Sequence, residues 1–412
     1  MSTILEQVRT LAGELNEAAL EALPEVICVE KGAVERAASY IGERGWNRPL
    51  IVVDGNTFRA AGERLELALR EHHLAPSTAL VLPNPLGDVI ADETSIVQVL
   101  LAAQSSRSDA VVAAGSGTLH DIARYAAYTA GLPFVSVPTA ASVDGFTSNG
   151  SPLLIRGNKI TIPAKGPAGI FADPEIMRTA PKEMAAAGFG DMLGKYTSLF
   201  DWNYGRLTAG EAYSDRIAEL TGQALDMCVE QADEIGRGTG QGLLVLTEAL
   251  LLSGLAILLF GQSHPASGAE HHVSHYWEME FIRAGRRQLL HGAKVGVACT
   301  EISALYHKLA AAGDIAGEPG VQEEAAAAVH RLPGPDQLRG LLRTVGGPST
   351  IGELGIEPEL LERSLKEAHR IRPNRHTLLR ARNEGLLPGG KRRWNGDRGW
   401  LRAGGGTQPV GD

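Results

Sequence analysis

Asp191, His271 and His291 carry the most informative chemistry in this chain. They lie in Gly190-Asp191-Met192-Leu193-Gly194-Lys195, Glu270-His271-His272 and His291-Gly292-Ala293-Lys294. One carboxylate and two imidazoles can hold a divalent ion and leave coordination positions open. An ion held that way polarises a carbonyl oxygen or activates a water. Upstream, Gly115-Ser116-Gly117-Thr118-Leu119-His120-Asp121 reads as a nucleotide-phosphate loop. Metal plus dinucleotide points to hydride chemistry on a carbonyl or an alcohol.

Each of these residues also has a plain structural reading. An Asp in a glycine- and alanine-rich turn is often a helix N-cap, so Asp191 reads as a cap or as the acid of a metal site. His271 and His275 are four residues apart and share one helix face, whereas His272 points elsewhere. His291, before Gly292, also suits a helix start. Lys195, one turn beyond Asp191, reads either as a solvated lysine or as a holder of a substrate phosphate. The Gly115 loop lacks the third glycine of GxGxxG, so a tight strand-to-helix turn competes with phosphate binding. Asp54 ends an early strand, where a carboxylate bonds a ribose hydroxyl or simply caps a turn. The ribose reading favours NAD over NADP, because a carboxylate repels a 2′-phosphate. Thr139-Ala140-Ala141-Ser142-Val143-Asp144-Gly145 sets small and hydroxyl residues where a nucleotide lies, or is an ordinary loop.

The elements that must position these residues follow from apolar patterning. Ile4, Val8, Leu11 and Leu15 recur at helical spacing, and a second helical pattern covers 33–43. Val26–Val29, Leu50–Val53, Ala79–Leu82, Asp109–Ala114 and Phe134–Pro138 are short apolar runs separated by helical patterns, the last of them at 91–104. Continuous apolar strands of this kind predict a mostly parallel sheet covered on both faces. After Pro181 only helical patterns follow. The expectation is an α/β nucleotide-binding domain over 1–175, an all-α metal- and substrate-binding domain over 176–385, and a flexible basic, glycine-rich tail over 386–412. Leu243–Phe260 is long enough to span a bilayer, but it contains Thr247 and Glu248 and predicts a buried central helix instead.

Of the 412 residues 44% are hydrophobic and 21% charged, an ordinary globular composition. A net charge of -9 argues against nucleic-acid binding. Cys28, Cys228 and Cys299 form no CxxC pair, which excludes a disulfide framework and a thiolate zinc site and fits reduced thiols in a cytosolic protein. The N-terminus has no basic-then-apolar secretory pattern.

The Gly190–Lys195 segment, Pro265-Ala266-Ser267-Gly268-Ala269-Glu270-His271-His272-Val273-Ser274-His275 and His291-Gly292-Ala293-Lys294-Val295-Gly296 resemble the glycerol-1-phosphate dehydrogenases. Gly115–Ile122 and Val137-Pro138-Thr139-Ala140-Ala141-Ser142-Val143-Asp144-Gly145-Phe146-Thr147-Ser148 strengthen the match, which covers roughly 25–380 and is most similar to the bacterial AraM-like branch. That family lies in the superfamily of iron-type alcohol dehydrogenases, glycerol dehydrogenases and dehydroquinate synthases. The resemblance implies an enzyme that reduces dihydroxyacetone phosphate to sn-glycerol 1-phosphate with NAD(H) or NADP(H) and one divalent metal, zinc or nickel. It implies Asp191, His271 and His291 as metal ligands, and Asp144, Asp191 and His275 as substrate contacts. Gly115, Ser116, Gly117, Thr118 and Leu119 form the pyrophosphate turn, Thr139, Ala140, Ala141, Ser142 and Ser148 complete the cofactor site, and Asp54 takes the ribose. His275 is the expected proton relay, with Lys195 at the phosphate. A cytoplasmic homodimer is also implied. A glycerol or other polyol dehydrogenase, a dehydroquinate-synthase-like lyase and a non-catalytic sensor are the rival readings. Arg372-Pro373-Asn374-Arg375-His376-Thr377 departs from the family's Arg-x-Arg-Tyr-Thr, with Pro for the first Arg and His for Tyr.

Overall fold

The structure, a computed structural model, describes residues 3–385 except residue 16, so the expected flexible tail lies outside the described residues. Eight strands are present: β1 (Val26–Val29), β2 (Pro49–Val53), β3 (Ser77–Leu80), β4 (Ala110–Gly115), β5 (Phe134–Pro138), β6 (Gly150–Ile155), β7 (Asn158–Pro163) and β8 (Gly169–Ala172). Six of them form one parallel sheet in the order β1-β8-β5-β4-β2-β3. The apolar runs of β2 and β4 are continuous because both faces of the sheet are covered. Ile51 and Val53 pack on the side of helices Ala33–Glu43 and Glu63–Glu71, while Leu50 and Val52 pack on the side of Glu93–Ser105 and Gly117–Ala130.

Strand β3 is shifted from the expected 79–82. The Leu82 amide leaves the ladder to donate to Gln98 Oε1 at 3.1 Å, while Ser77 and Thr78 pair with Leu50 and Ile51. The antiparallel β6–β7 hairpin and β8 have no counterpart in the apolar-run reading. The hairpin turns through Arg156 and Gly157, both at positive φ (51° and 77°), the geometry that suits a two-residue turn.

The chain leaves β2 for the outer β3, then returns to β4 and continues away through β5 and β8. The order reverses between β2 and β4, and a ligand crevice in an open α/β sheet forms at such a reversal, beyond the carboxyl ends of the strands. Asp54 follows β2 and Ser116 follows β4, so both flank it.

From Pro174 onward every described element is helical. Helix Gly240–Phe260 is the one described helix long and apolar enough to cross a membrane, yet 72% of its apolar window is buried inside the protein. Leu246, Ala249, Leu250, Leu251 and Leu255 centre one core, to which Val8, Ala12 and Ala19 of the N-terminal helices also contribute. The chain start therefore packs on the helical half. A second core gathers Trp277, Val297, Ile302 and Tyr306.

His120 is locked under the sheet's carboxyl end. Its Nδ1 lies 2.9 Å from the Ser116 carbonyl and its Nε2 2.8 Å from Ser136 Oγ, and burial pushes its pKa down to about 3. The unfolded ring titrates near ~6.5. Above that pH neither state is protonated. As pH falls from about 6.5 toward 3, the unfolded chain takes a proton that the folded chain refuses, and stability declines by up to ~1.4 kcal/mol per pH unit. Unfolding free energies of His120→Gln measured against pH should show an acid limb shallower by up to one proton. An unaltered limb would contradict the assignment.

Candidate active site

The three expected ligands converge from three helices. Asp191 lies in the last turn of Lys182–Leu193, His271 in the first turn of Ala269–Arg283, and His291 opens His291–Ala312. Asp191 is thus no N-cap. A carboxylate in a last turn faces the negative end of the helix dipole and requires cationic company. Glycines flank two of the ligands because the backbones touch. A Cβ on Gly190 would overlap the Gly292 carbonyl oxygen, and one on Gly292 would overlap that of Ala187. Only glycine at both positions brings Asp191 and His291 this close.

Asp191 is fully buried, and its Oδ1 lies 3.6 Å from His271 Nε2 and 3.9 Å from His291 Nε2. Ligand atoms of all three residues lie within 4.8 Å of one another. A tetrahedral ion with ~2.1 Å bonds spaces its ligand atoms about 3.4 Å apart, so the trio fits a small divalent cation. The outer shell fits as well. His271 Nδ1 lies 2.7 Å from Glu270 Oε1, and Thr197 Oγ1 donates to Glu270 Oε2 at 2.7 Å. A carboxylate behind a histidine fixes the ring and leaves Nε2 aimed at the ion. Burial alone would raise the Asp191 carboxyl, but the Lys195 ammonium and the His271 hydrogen bond hold it far below the usual range. Burial would lower His271, and the nearby Asp191 carboxylate and the hydrogen bond to Glu270 raise it instead. Burial dominates at His291 and pushes it down to about 3, so this imidazole is neutral and its lone pair is available.

Lys195 departs from the phosphate-holding role expected of it. It is fully buried, with Nζ 2.8 Å from Asp144 Oδ2 and 3.2 Å from Asp191 Oδ1. These two carboxylates outweigh its burial and raise its pKa. It is not exposed to the cavity and has no donor to offer a ligand there. Asp144 ties the two halves together: its amide donates to Asp191 Oδ2 at 3.0 Å and its carboxylate accepts from Ser253 Oγ at 2.8 Å.

A cavity of about 560 Å³ joins this pocket to the crevice of the sheet. Asp54, Ser116, Gly117, Thr118, Leu119, Ser142, Asp144, Ser148, His271, His275 and His291 all line it. Gly115, Thr139, Ala140 and Ala141 do not; the alanines are buried behind the surface, and the Thr139 amide extends the sheet by donating to the Gly115 carbonyl at 3.0 Å. Helix Gly117–Ala130 begins three residues earlier than the expected start near His120, which turns its first free amides toward the cavity. Asp54 caps Gly55–Thr57 with Oδ1 alone, accepting from the amides of Asn56 and Thr57 at 2.8 Å each; Oδ2 carries no hydrogen bond among the described residues. The cap and ribose readings are therefore compatible. The His275 ring lies edge-on to that of His271, one turn away, with centroids 6.0 Å apart, and burial holds its pKa well below the usual value.

Several site residues were not singled out from sequence. Glu270 stood inside the quoted Glu-His-x-x-Ser-His element without a role of its own. Glu278, one turn beyond His275, accepts from Lys159 and Lys294 at 2.7 and 2.9 Å. Arg124 carried no signal, yet its buried guanidinium clamps the Asp144 loop by donating to the carbonyls of Gly145 and Phe146.

A parallel α/β half is followed by an all-helical half, and the two meet over one cleft. The family model described as iron-containing alcohol dehydrogenase matches residues 28–181. A probable glycerol dehydrogenase from Sinorhizobium meliloti 1021 shares the fold, with a TM-score of 0.66 at 19% identity, over 88% of this chain and 96% of that one. Sequence narrows the class further. The chain is 46% identical to a glycerol-1-phosphate dehydrogenase [NAD(P)+] from Geobacillus stearothermophilus, over 87% of this chain and 92% of the relative. It is 45% identical to the protein of the same name from Geobacillus thermodenitrificans (strain NG80-2), over 88% and 93% of the two chains. The chain belongs to the glycerol-1-phosphate dehydrogenase family and is an oxidoreductase.

Proposed function

We propose that this protein catalyses the metal-dependent, reversible reduction of dihydroxyacetone phosphate to sn-glycerol 1-phosphate by NAD(P)H. The observation that carries the reading is the clustering of buried Asp191 with His271 and His291, two histidines that line the same cavity as Asp54 and the Ser116–Leu119 turn. The trio would hold the ion; its oxygen and imidazole donors suit zinc or nickel. When bound, the ion supplies Lewis-acid polarisation of the C2 carbonyl and the reduced nicotinamide supplies the hydride.

The chain's own residues do the rest. The Ser116–Leu119 turn and helix Gly117–Ala130 receive the pyrophosphate, with Ser142 and Ser148 completing the nucleotide site. Asp144 and Asp191 border the substrate, and His275 relays a proton from solvent to the C2 oxygen, taking one up at one ring nitrogen as it gives one from the other. A neutral imidazole suits that task because one ring nitrogen donates while the other accepts. Assembly as a cytoplasmic homodimer and a role in glycerophospholipid or related metabolism belong to the same reading. The test is NADH oxidation with dihydroxyacetone phosphate and with dihydroxyacetone, before and after metal removal, with the product's configuration determined. Near-normal turnover after metal removal, or an sn-glycerol 3-phosphate product, would overturn it.

The unpaired Oδ2 of Asp54 leads to a cofactor prediction. Asp54→Ala removes the carboxylate that repels a 2′-phosphate, and kcat/KM should shift toward NADPH relative to NADH by about 10-fold. Loss of the cap should also cost about 1 kcal/mol of stability. Measuring kcat/KM for both cofactors decides the point, and an unchanged ratio would refute the ribose assignment.

A further inference from the structure

We propose that Arg372, with the hydroxyls of Thr161, Ser263 and Ser267, forms the anion subsite that takes the phosphate of the substrate. The inference rests on the phosphorylated-ketone reading above and supplies what Lys195 does not. Arg372 follows the short helix Ala368–Ile371, outside every element to which the sequence assigned a binding role. All four residues line the cavity that holds His271 and His275.

The case is one of charge and of free donors. Each other Lys or Arg on the cavity wall already has a carboxylate. Lys159 and Lys294 are bonded to Glu278 at 2.7 and 2.9 Å, and Arg287 to Asp88 at 2.6 Å. Arg372 makes no ion pair among the described residues. Its Nη1 donates to Ser263 Oγ at 2.7 Å and Ser267 Oγ at 3.0 Å, and its Nη2 to Thr161 Oγ1 at 3.4 Å. Burial, followed by the like charge of Arg375, lowers its pKa to about 10. A half-buried guanidinium with no carboxylate partner favours a ligand that brings a negative charge.

The hydroxyls point to the same ligand. Each of the three accepts from the guanidinium, and none is bonded as a donor to another group among the described residues. Each therefore keeps an O–H hydrogen to direct at an anion. One planar fork and three hydroxyl donors match a phosphate monoester, which offers three acceptor oxygens and up to two negative charges. Ser267 lies four residues before His271, which sets the cradle beside the pocket where the carbonyl is to be reduced.

The test compares kcat/KM for dihydroxyacetone phosphate and dihydroxyacetone in the holoenzyme and in Arg372→Met. The variant should lose about 100- to 1,000-fold on the phosphorylated substrate and keep its activity on the other within a few-fold. Arg372→Lys, which keeps the charge but not the fork, should fall between. In the unaltered holoenzyme, millimolar inorganic phosphate should compete with the phosphorylated substrate and raise Tm, and the Tm shift should vanish in Arg372→Met. The competition arm needs no variant and so stands even if Arg372→Met fails to fold. Equal losses on both substrates, absence of phosphate competition, or a phosphate-specific loss in Lys159→Gln with none in Arg372→Met would overturn the assignment. If the unaltered enzyme itself shows no preference for the phosphorylated substrate, the substrate reading fails first and the subsite falls with it.

Discussion

His271→Ala is expected to lose its metal and its turnover together while retaining the fold. In the proposed site the imidazole would supply one of three ligands, from a helix whose packing is made by other residues, such as Val273 and Trp277. Glu270 keeps its bonds from Thr197 and the Gly268 amide after the ring is gone, so the deletion leaves no orphaned carboxylate. Outer-shell substitutions alone cost about 10- to 100-fold in metal affinity, and loss of a direct ligand should exceed that. Turnover should fall on the order of 10³-fold, the several kcal/mol that a Lewis acid supplies. Metal content by mass spectrometry, steady-state kinetics and circular dichroism measure the three consequences separately. A variant that binds metal at full stoichiometry and stays active would eliminate the Asp191–His271–His291 site.

Lys195→Met should instead act on stability. The ammonium is the shared counter-ion of Asp144 and Asp191 in a fully buried position, and its removal takes the counter-charge from both carboxylates. Breaking a buried pair by deleting one partner costs roughly 3–5 kcal/mol. The loss should be largest in chelator-treated protein and smaller once a divalent ion is restored, since the ion would neutralise Asp191 in the lysine's absence. Denaturant unfolding of both forms measures this. Stability within about 0.5 kcal/mol of the parent, accompanied by a raised KM for the phosphorylated substrate, would return Lys195 to the ligand-binding role that its sequence position first pointed to.

The contrast between Lys195 and the metal trio shows what the sequence can reveal. Residue spacing placed Lys195 one turn beyond Asp191, and the structure agrees. Spacing could not reveal that Asp144 arrives from a loop nearly fifty residues earlier to occupy the same ammonium. His271 and His275 were readable as a pair because a four-residue step on a helix is local geometry, and the Glu-His-x-x-Ser-His element tied them to Asp191 and His291 through family likeness. Strands β2, β4 and β5 were readable because burial on both faces leaves unbroken apolar runs. The β6–β7 hairpin was not, since Lys159 and Thr161 alternate with Ile160 and Ile162 on a half-exposed ribbon that leaves no unbroken apolar run, and Pro152 interrupts its first strand. Arg372 escaped for a different reason. Its meaning lies in the lack of an ion pair among the described residues, which is visible only once the surroundings are in place.

The contact between Gly190 and Gly292 has a consequence for how the protein is loaded. It is made by main chain alone, so the register of the two helices owes nothing to an ion. Asp191 and His291 are delivered to their positions by folding, as the jaws of a finished socket. If the proposed trio holds an ion, stripping and reloading should be exchange reactions at a standing site, governed by access through the cavity rather than by refolding. By the same logic, a side chain introduced at either glycine, far too small to reach the ion, would be felt there as a change in ligand spacing.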